Sequence, residues 1–146
     1  MVRLFGSMSM IWGCIDASMN NCPFCGLDTG RILMERDGWR VIADGYPVTP
    51  GHLLFIPVRH VSSFRELSDQ EWGAVFALIK RWTSKVKDED ATVEGVNVGI
   101  NDGRLAGQTV MHAHIHLIPR RAGDVQNPTG GVRGVIPGKA AYEPDA

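Results

Sequence analysis

Long apolar runs, net charge and cysteine are all scarce in this chain, and each scarcity removes a class of function. No stretch approaches the roughly eighteen consecutive apolar residues of a membrane-spanning helix, so no membrane association is expected. Lys and Arg number 15 against 16 Asp and Glu, a formal net charge of −1. Binding of a nucleic-acid polymer ordinarily asks for a basic face, and this balance gives no reason to expect one. Three cysteines cannot build a disulfide framework. They suit a reducing compartment, and a cytoplasmic location is expected. No internal repeat or low-complexity tract appears.

What the chain does contain is concentrated. Of its five histidines, His112, His114 and His116 stand at alternate positions, inside Val110-Met-His-Ala-His-Ile-His-Leu-Ile-Pro119. A strand throws successive side chains to opposite faces. The spacing therefore predicts three imidazoles on one surface within about 14 Å, with Ala113, Ile115 and Leu117 facing a core. Neutral imidazole can attack phosphorus, bind a metal or carry protons near neutral pH. One such histidine would read as ordinary half-polar surface; three in register, after a glycine-flexed loop and beside Gln108 and Thr109, read as an active site.

At 146 residues, 44% of them apolar and 21% charged, the chain is one globular domain with room for a core. Residues 1–20 have no helical or strand period. Gly13 before Cys14 resembles a lipoprotein cleavage site, but Trp12 is bulky, Arg3 is the lone basic residue, and Gly6, Ser7 and Ser9 break the apolar run. A loose N-terminal extension is expected there, and Cys14 has no assigned role.

Further along, Asp37-Gly38 between Arg31–Arg36 and Trp39–Ala43 signals a two-residue hairpin. Residues 44–51 are rich in turn formers, and His52–Pro57 reads as a buried strand. Ser68-Asp-Gln-Glu71 matches a capping box that opens a helix to about Lys87. Trp72, Val75, Phe76, Ile79, Trp82 and Val86 recur at helical spacing as its apolar face. Thr92–Ile100 reads as another strand, Asn101–Gly107 as a loop, and Gln108–Ile118 as the histidine strand, stopped by Pro119. From residue 122 the chain is Gly- and Pro-rich, a surface tail over 122–146. The expected class is α+β, an antiparallel sheet of about five strands with one long helix and shorter helical segments, over residues 21–121.

The run His112-Ala-His114-Ile-His116-Leu-Ile118 resembles the His-φ-His-φ-His-φ-φ signature of the histidine triad (HIT) superfamily. Asp44, Pro50, Gly51-His52, Ile56-Pro57, His60, Asn101 and Gly107-Gln108 also fall where that family carries comparable residues, so the likeness covers roughly 22–121. It implies a nucleotide hydrolase or transferase acting at an α-phosphate of an anhydride or phosphoramidate. His114 would be the nucleophile, forming a covalent nucleotidyl-histidine, with His112 and His116 beside it. His116, Gln108 and Thr109 are candidate donors to the phosphoryl oxygens. Asn101 and Gly107 would let the preceding loop meet the phosphate, and Asp44 would accept from ribose hydroxyls. His52 would orient the triad from behind. Phe24 and Val41 are candidates for a purine pocket, and a homodimer is implied.

Cys22-x-x-Cys25 fits half a zinc site, a redox pair or two buried thiols. The βαβ context of a redox motif does not surround it. The resemblance to bacterial HIT proteins, and more distantly to galactose-1-phosphate uridylyltransferase, implies a structural Zn2+ on Cys22, Cys25, His60 and His112. Two other functions compete with the enzyme. A nucleotide-binding regulatory module would not need a neutral nucleophile, and a zinc-dependent interaction module would need a second CxxC. The stretch Gly130–Lys139 resembles a C-terminal extension of some bacterial members and is expected on the dimer surface or over the site, with Arg133 and Lys139 near phosphates.

Overall fold

The computed structural model describes residues 21–141. The readings for residues 1–20, Cys14 included, and for the last five residues of the tail lie outside that range. Five strands form one antiparallel sheet: β1 (Ile32–Arg36), β2 (Trp39–Ala43), β3 (Leu53–Pro57), β4 (Val93–Ile100) and β5 (Ile115–Arg121). Their order is β1-β2-β3-β5-β4. Among the described residues a single α-helix occurs, α1 (Asp69–Glu89), between β3 and β4 in the chain. Among the described residues no helix is long and apolar enough to cross a membrane.

Local chemistry sets the boundaries. Asp37 and Gly38 have φ of 51° and 79°, the pair of left-handed residues that a two-residue hairpin between twisted strands requires. Ser68 accepts from the Glu71 amide while Glu71 reaches back to the Ser68 amide, so the capping box starts α1. Alternation along the strands then divides the apolar residues between two faces. On one, Trp39, Val41, Leu53, Phe55, Ile115 and Leu117 pack under Val75, Leu78, Ile79 and Trp82 of α1. On the other, Ile42, Leu54 and Ile56 make a smaller cluster with Phe24, Leu27 and Ile32. β3 lies in the middle and is buried along its whole length.

Three expectations need correction. The histidine strand does not begin at Gln108: β5 starts at Ile115, and residues 110–114 leave the sheet to follow the chain after β3, where the Ala113 amide donates to the Val61 carbonyl (2.7 Å). Nor does Pro119 stop the strand, which runs on to Arg121 opposite β4. Backbone N and C=O of one extended residue point the same way. The Pro119 carbonyl turns to the Thr49 hydroxyl (2.7 Å), on the side where the β3 ladder has already ended at Leu53↔Leu117, so the missing N–H costs no ladder bond. Finally, Phe76 is 62% exposed and stacks on Trp72, while Leu78 takes the inward place. Phe76 follows Val75 by about 100° around the helix, which carries it off the buried stripe.

Ile79→Ala should therefore cost about 2–4 kcal/mol in urea unfolding, whereas Phe76→Ala should stay within about 0.5 kcal/mol of wild type.

Candidate active site and adjoining metal centre

The loop between β4 and β5 is latched by one side chain. Gln108 is buried; its Oε1 accepts from the Gly103 amide (2.7 Å) and its Nε2 donates to the carbonyls of Ser62 (2.8 Å) and Val110 (3.1 Å). That use of both amide hydrogens leaves Gln108 positioning the loop, with no hydrogen spare for a phosphate. Gly103 and Gly107 both sit at φ 93°, where a Cβ would be strained. Asn101 opens the loop, half-buried, with its side-chain amide close to Gly107. Thr109 is exposed and lies in the loop, not on a strand.

The protons on the imidazoles follow from their partners. His112 is fully buried, and its Nε2–H donates to the Pro57 carbonyl (2.9 Å). A carbonyl only accepts, so in the neutral ring Nδ1 is bare. The next alternate residue repeats the device with the nitrogens exchanged. His114 Nδ1–H donates to the backbone carbonyl of His112 itself (2.8 Å), and its Nε2 is left bare. His116 is coupled to His52, whose Nδ1 accepts from the Val48 amide (3.3 Å). His52 Nε2–H then donates to His116 Nδ1 (3.0 Å), which puts the remaining hydrogen on His116 Nε2. That atom is buried and has no partner among the described residues.

Asp44 closes this group. Its Oδ2 lies 3.4 Å from His52 Nδ1 and 3.9 Å from His116 Nδ1, and its Oδ1 accepts from the Tyr46 amide (2.8 Å). Burial lowers the His52 pKa against the opposing pull of Asp44. His116 is depressed to about 4, first by burial and then by the neighbouring His114 and His52. His112 also falls to about 4, again chiefly by burial. Neutral rings are what a nucleophile and its neighbours need at physiological pH.

Of the three rings, His112 is the one in contact with the cysteine pair. Its Nδ1 lies 3.4 Å from Cys22 Sγ and 3.6 Å from Cys25 Sγ, and Cys25 Sγ lies 3.2 Å from His60 Nδ1. The four donor atoms of Cys22, Cys25, His60 and His112 fall within 4.8 Å of one another. A tetrahedron with ordinary zinc–sulfur and zinc–nitrogen bonds has S···N edges of about 3.6 Å, so the donor set fits that ion. Burial first, and then Cys22, push the Cys25 thiol up to about 11; a bound cation would favour the thiolate instead. Asp44, His52 and His116 also cluster within 4.8 Å, but their facing nitrogens are spent on each other. Phe24, between the two cysteines, sets its ring edge-on to both His112 and His114, with centroids 5.9 and 5.2 Å apart.

Val41 is 0% exposed in the core beneath α1 and forms no pocket; alternation sends its neighbour Ile42 to the site face instead. The expectation for the tail also changes. Its short 3-10 turn, Gly131–Val135, does lie beside the site, but the residues that face it are Gly131, Val132 and Val135. Arg133 Nε instead donates to the Lys139 carbonyl (3.1 Å) within the tail, and neither residue lines the cavity. That cavity, of about 520 Å³, runs from His52, His116 and Asn101 along β4 to the tail. Its far wall escaped sequence reading because a Gly- and Pro-rich segment gives no periodicity to follow.

Comparison with known proteins agrees with this geometry. The HIT domain family model matches residues 28–123. Adenosine 5′-monophosphoramidase of Candida albicans is 35% identical over 112 residues, 72% of this chain and 74% of its own length. Bis(5′-adenosyl)-triphosphatase of Dictyostelium discoideum is 41% identical over a shorter stretch of 81 residues, 56% of this chain and 54% of its own. The crystal structure of a Zn-bound histidine triad family protein from Mycobacterium smegmatis superposes with a TM-score of 0.66 at 32% identity, covering 73% of this chain and 79% of that one.

Burying neutral histidines makes folding sensitive to acid. Above pH 6.5 both states carry these rings neutral. As pH falls the unfolded chain takes up protons first, so stability declines from about 6.5 down to about 4, where His112 and His116 titrate in the fold. The melting temperature, followed with a chelator present throughout, should be level from pH 8 to 7 and drop steadily below 6.5. A melting temperature that stays level or rises over that lower range would contradict the protonation states assigned above.

Proposed function

This chain belongs to the HIT family, and from that membership we propose that it is a nucleotide hydrolase or transferase that attacks an α-phosphate, at an anhydride or phosphoramidate bond. The observation that carries the reading is the bond from His114 Nδ1–H to the His112 carbonyl. It holds the ring in the one neutral form whose Nε2 lone pair is free to strike phosphorus.

In this reading His114 Nε2 forms a bond to phosphorus while the bond from phosphorus to the leaving group breaks. The leaving group departs with that electron pair and takes up a proton from solvent, while His116 Nε2–H would donate a hydrogen bond toward the phosphoryl group. Water then attacks the nucleotidyl-histidine, the P–N bond breaks, His114 recovers its lone pair, and the proton released by water passes to solvent. Asn101, the amides around Gly107 and the Thr109 hydroxyl would hold the phosphoryl oxygens, with Gln108 keeping their loop in place. Asp44 would accept from the ribose, and half-buried Phe24 and Leu27, backed by Ile42 and Leu54, would lie under a purine. His52 fixes the tautomer of His116.

A zinc ion on Cys22, Cys25, His60 and His112 would be structural, since four protein donors leave no open position. It would tie residues 22–25 to the segment that carries the nucleophile. A homodimer is part of the same proposal. The outer edge of β4, with Val98 and Ile100 about 40% exposed, leaves a strand for a second copy to cover.

Two measurements test this. His114→Ala should lower turnover of a nucleoside phosphoramidate at least about a thousandfold, about 4 kcal/mol of barrier, with nucleotide affinity changed less than about threefold. Turnover within about tenfold of wild type would remove His114 as nucleophile, and turnover absent from wild type as well would leave only a binding module. Purified protein should carry one zinc per chain, and Cys25→Ala should lose it together with several degrees of melting temperature; a metal-free wild type would end the zinc reading.

A further inference from the structure

The metal centre and the nucleoside side of the site share one short piece of chain. Cys22 and Cys25 stand at the two ends of a turn in which the Cys25 and Gly26 amides both donate to the Cys22 carbonyl (3.2 Å each). Phe24 lies between them, edge-on to His114, and packs with Leu27 against Ile42, Leu54 and Ile56. Among the described residues, no backbone hydrogen bond ties residues 22–27 to the rest of the chain. Beyond apolar packing, they are held by the contacts of the two thiols with His60 and His112. We infer that the cysteine pair is a redox-controlled latch on nucleotide binding: joined as a disulfide, it frees residues 22–27 and withdraws Phe24 from the nucleoside. This rests on the nucleotidyl-transfer reading, in which Phe24 lies under the purine.

The pair is placed to make that bond. A turn of this kind keeps its end Cα atoms within about 7 Å, and a disulfide spans about 4.4–6.8 Å. Both thiols are only half-buried, so a small oxidant can reach them. With a low-molecular-weight disulfide as oxidant, one cysteine thiolate attacks a sulfur of that disulfide and expels its other half as a thiolate. The second cysteine thiolate then attacks the mixed disulfide and expels the remaining half. The Cys22–Cys25 bond forms, two electrons pass to the oxidant, and its two released thiolates take protons from solvent. Two sulfur donors are thereby lost from the metal set. The bonds that prepare the nucleophile involve no thiol: His112 Nε2–H donates to Pro57, and His114 Nδ1–H to the His112 carbonyl. Oxidation should therefore act on binding rather than on the chemical step.

The test uses the full chain carrying Cys14→Ser, with oxidised glutathione as oxidant. Oxidation should consume both remaining thiols, release zinc to a chromophoric chelator and weaken AMP binding by about tenfold in calorimetry. KM for AMP phosphoramidate should rise by about the same factor with kcat within about threefold, and dithiothreitol with added zinc should reverse every change. Phe24→Ala should bind AMP about tenfold more weakly already when reduced, and lose less than about twofold more on oxidation. An AMP affinity unmoved by oxidation, a fall confined to kcat, or a Phe24→Ala variant as sensitive as its parent would overturn the latch while leaving nucleotidyl transfer standing. So would a loss of far-UV circular dichroism, which would mean that the whole fold had given way. Reduced protein that holds no zinc, yet loses AMP affinity on oxidation, would end the zinc reading and keep the latch. Reduced protein that binds no AMP would bring down the nucleotide reading and the latch with it.

Discussion

One backbone unit holds the site together. The ring of His112 is pinned by the Pro57 carbonyl and faces the two thiols, while the carbonyl of the same residue takes the Nδ1 hydrogen of His114. Whatever fixes that residue fixes the acceptor that sets the protonation of the next ring but one. This is possible because residues 110–114 part from the sheet before Ile115. A continuous strand would have spent that carbonyl on a neighbouring strand. The break in regularity is thus what leaves the His112 carbonyl free for the His114 ring.

The electrostatics follow from the same burial. A buried cation without a partner is costly, so burial favours the neutral forms of His52, His112 and His116, and His52, His112 and His114 each have one nitrogen tied to a backbone group of fixed polarity. Val48 can only donate, and the carbonyls of Pro57 and His112 can only accept. The chain of bonds from Val48 through His52 to His116 therefore has one direction, and it ends on the buried Nε2 hydrogen of His116.

Much of this could be read from residue order. Period-two and period-3.6 patterns gave the strands and α1, the Asp-Gly pair gave the hairpin, and the family likeness gathered Cys22, Cys25, His60 and His112 from positions that spacing alone would not join. What could not be read depends on where the sheet stops. Pro119 was expected to end β5 because proline lacks a donor, yet β3 ends first and nothing on that side needs one. Val41 and Ile42 are adjacent and equally apolar, and only the register decides which of them meets the site face. Gln108 has the right chemistry for a phosphate ligand, but three backbone groups claim it first. Val132 and Val135 stand in a segment without period, so their place on the cavity wall is a tertiary fact.

The strand order carries a consequence for how the protein forms. β1, β2 and β3 follow one another as a meander, and each pairs with its sequence neighbour. β5, by contrast, reaches β3 only across the whole helix and β4. Closing so long a loop is entropically slow relative to zipping local hairpins. His52 sits on the early side of that closure and His116 on the late side, and their bond spans 64 residues. Chains still emerging from the ribosome would carry the meander but none of the chemistry, so competence at phosphorus arrives in one step, with the docking of the last strand.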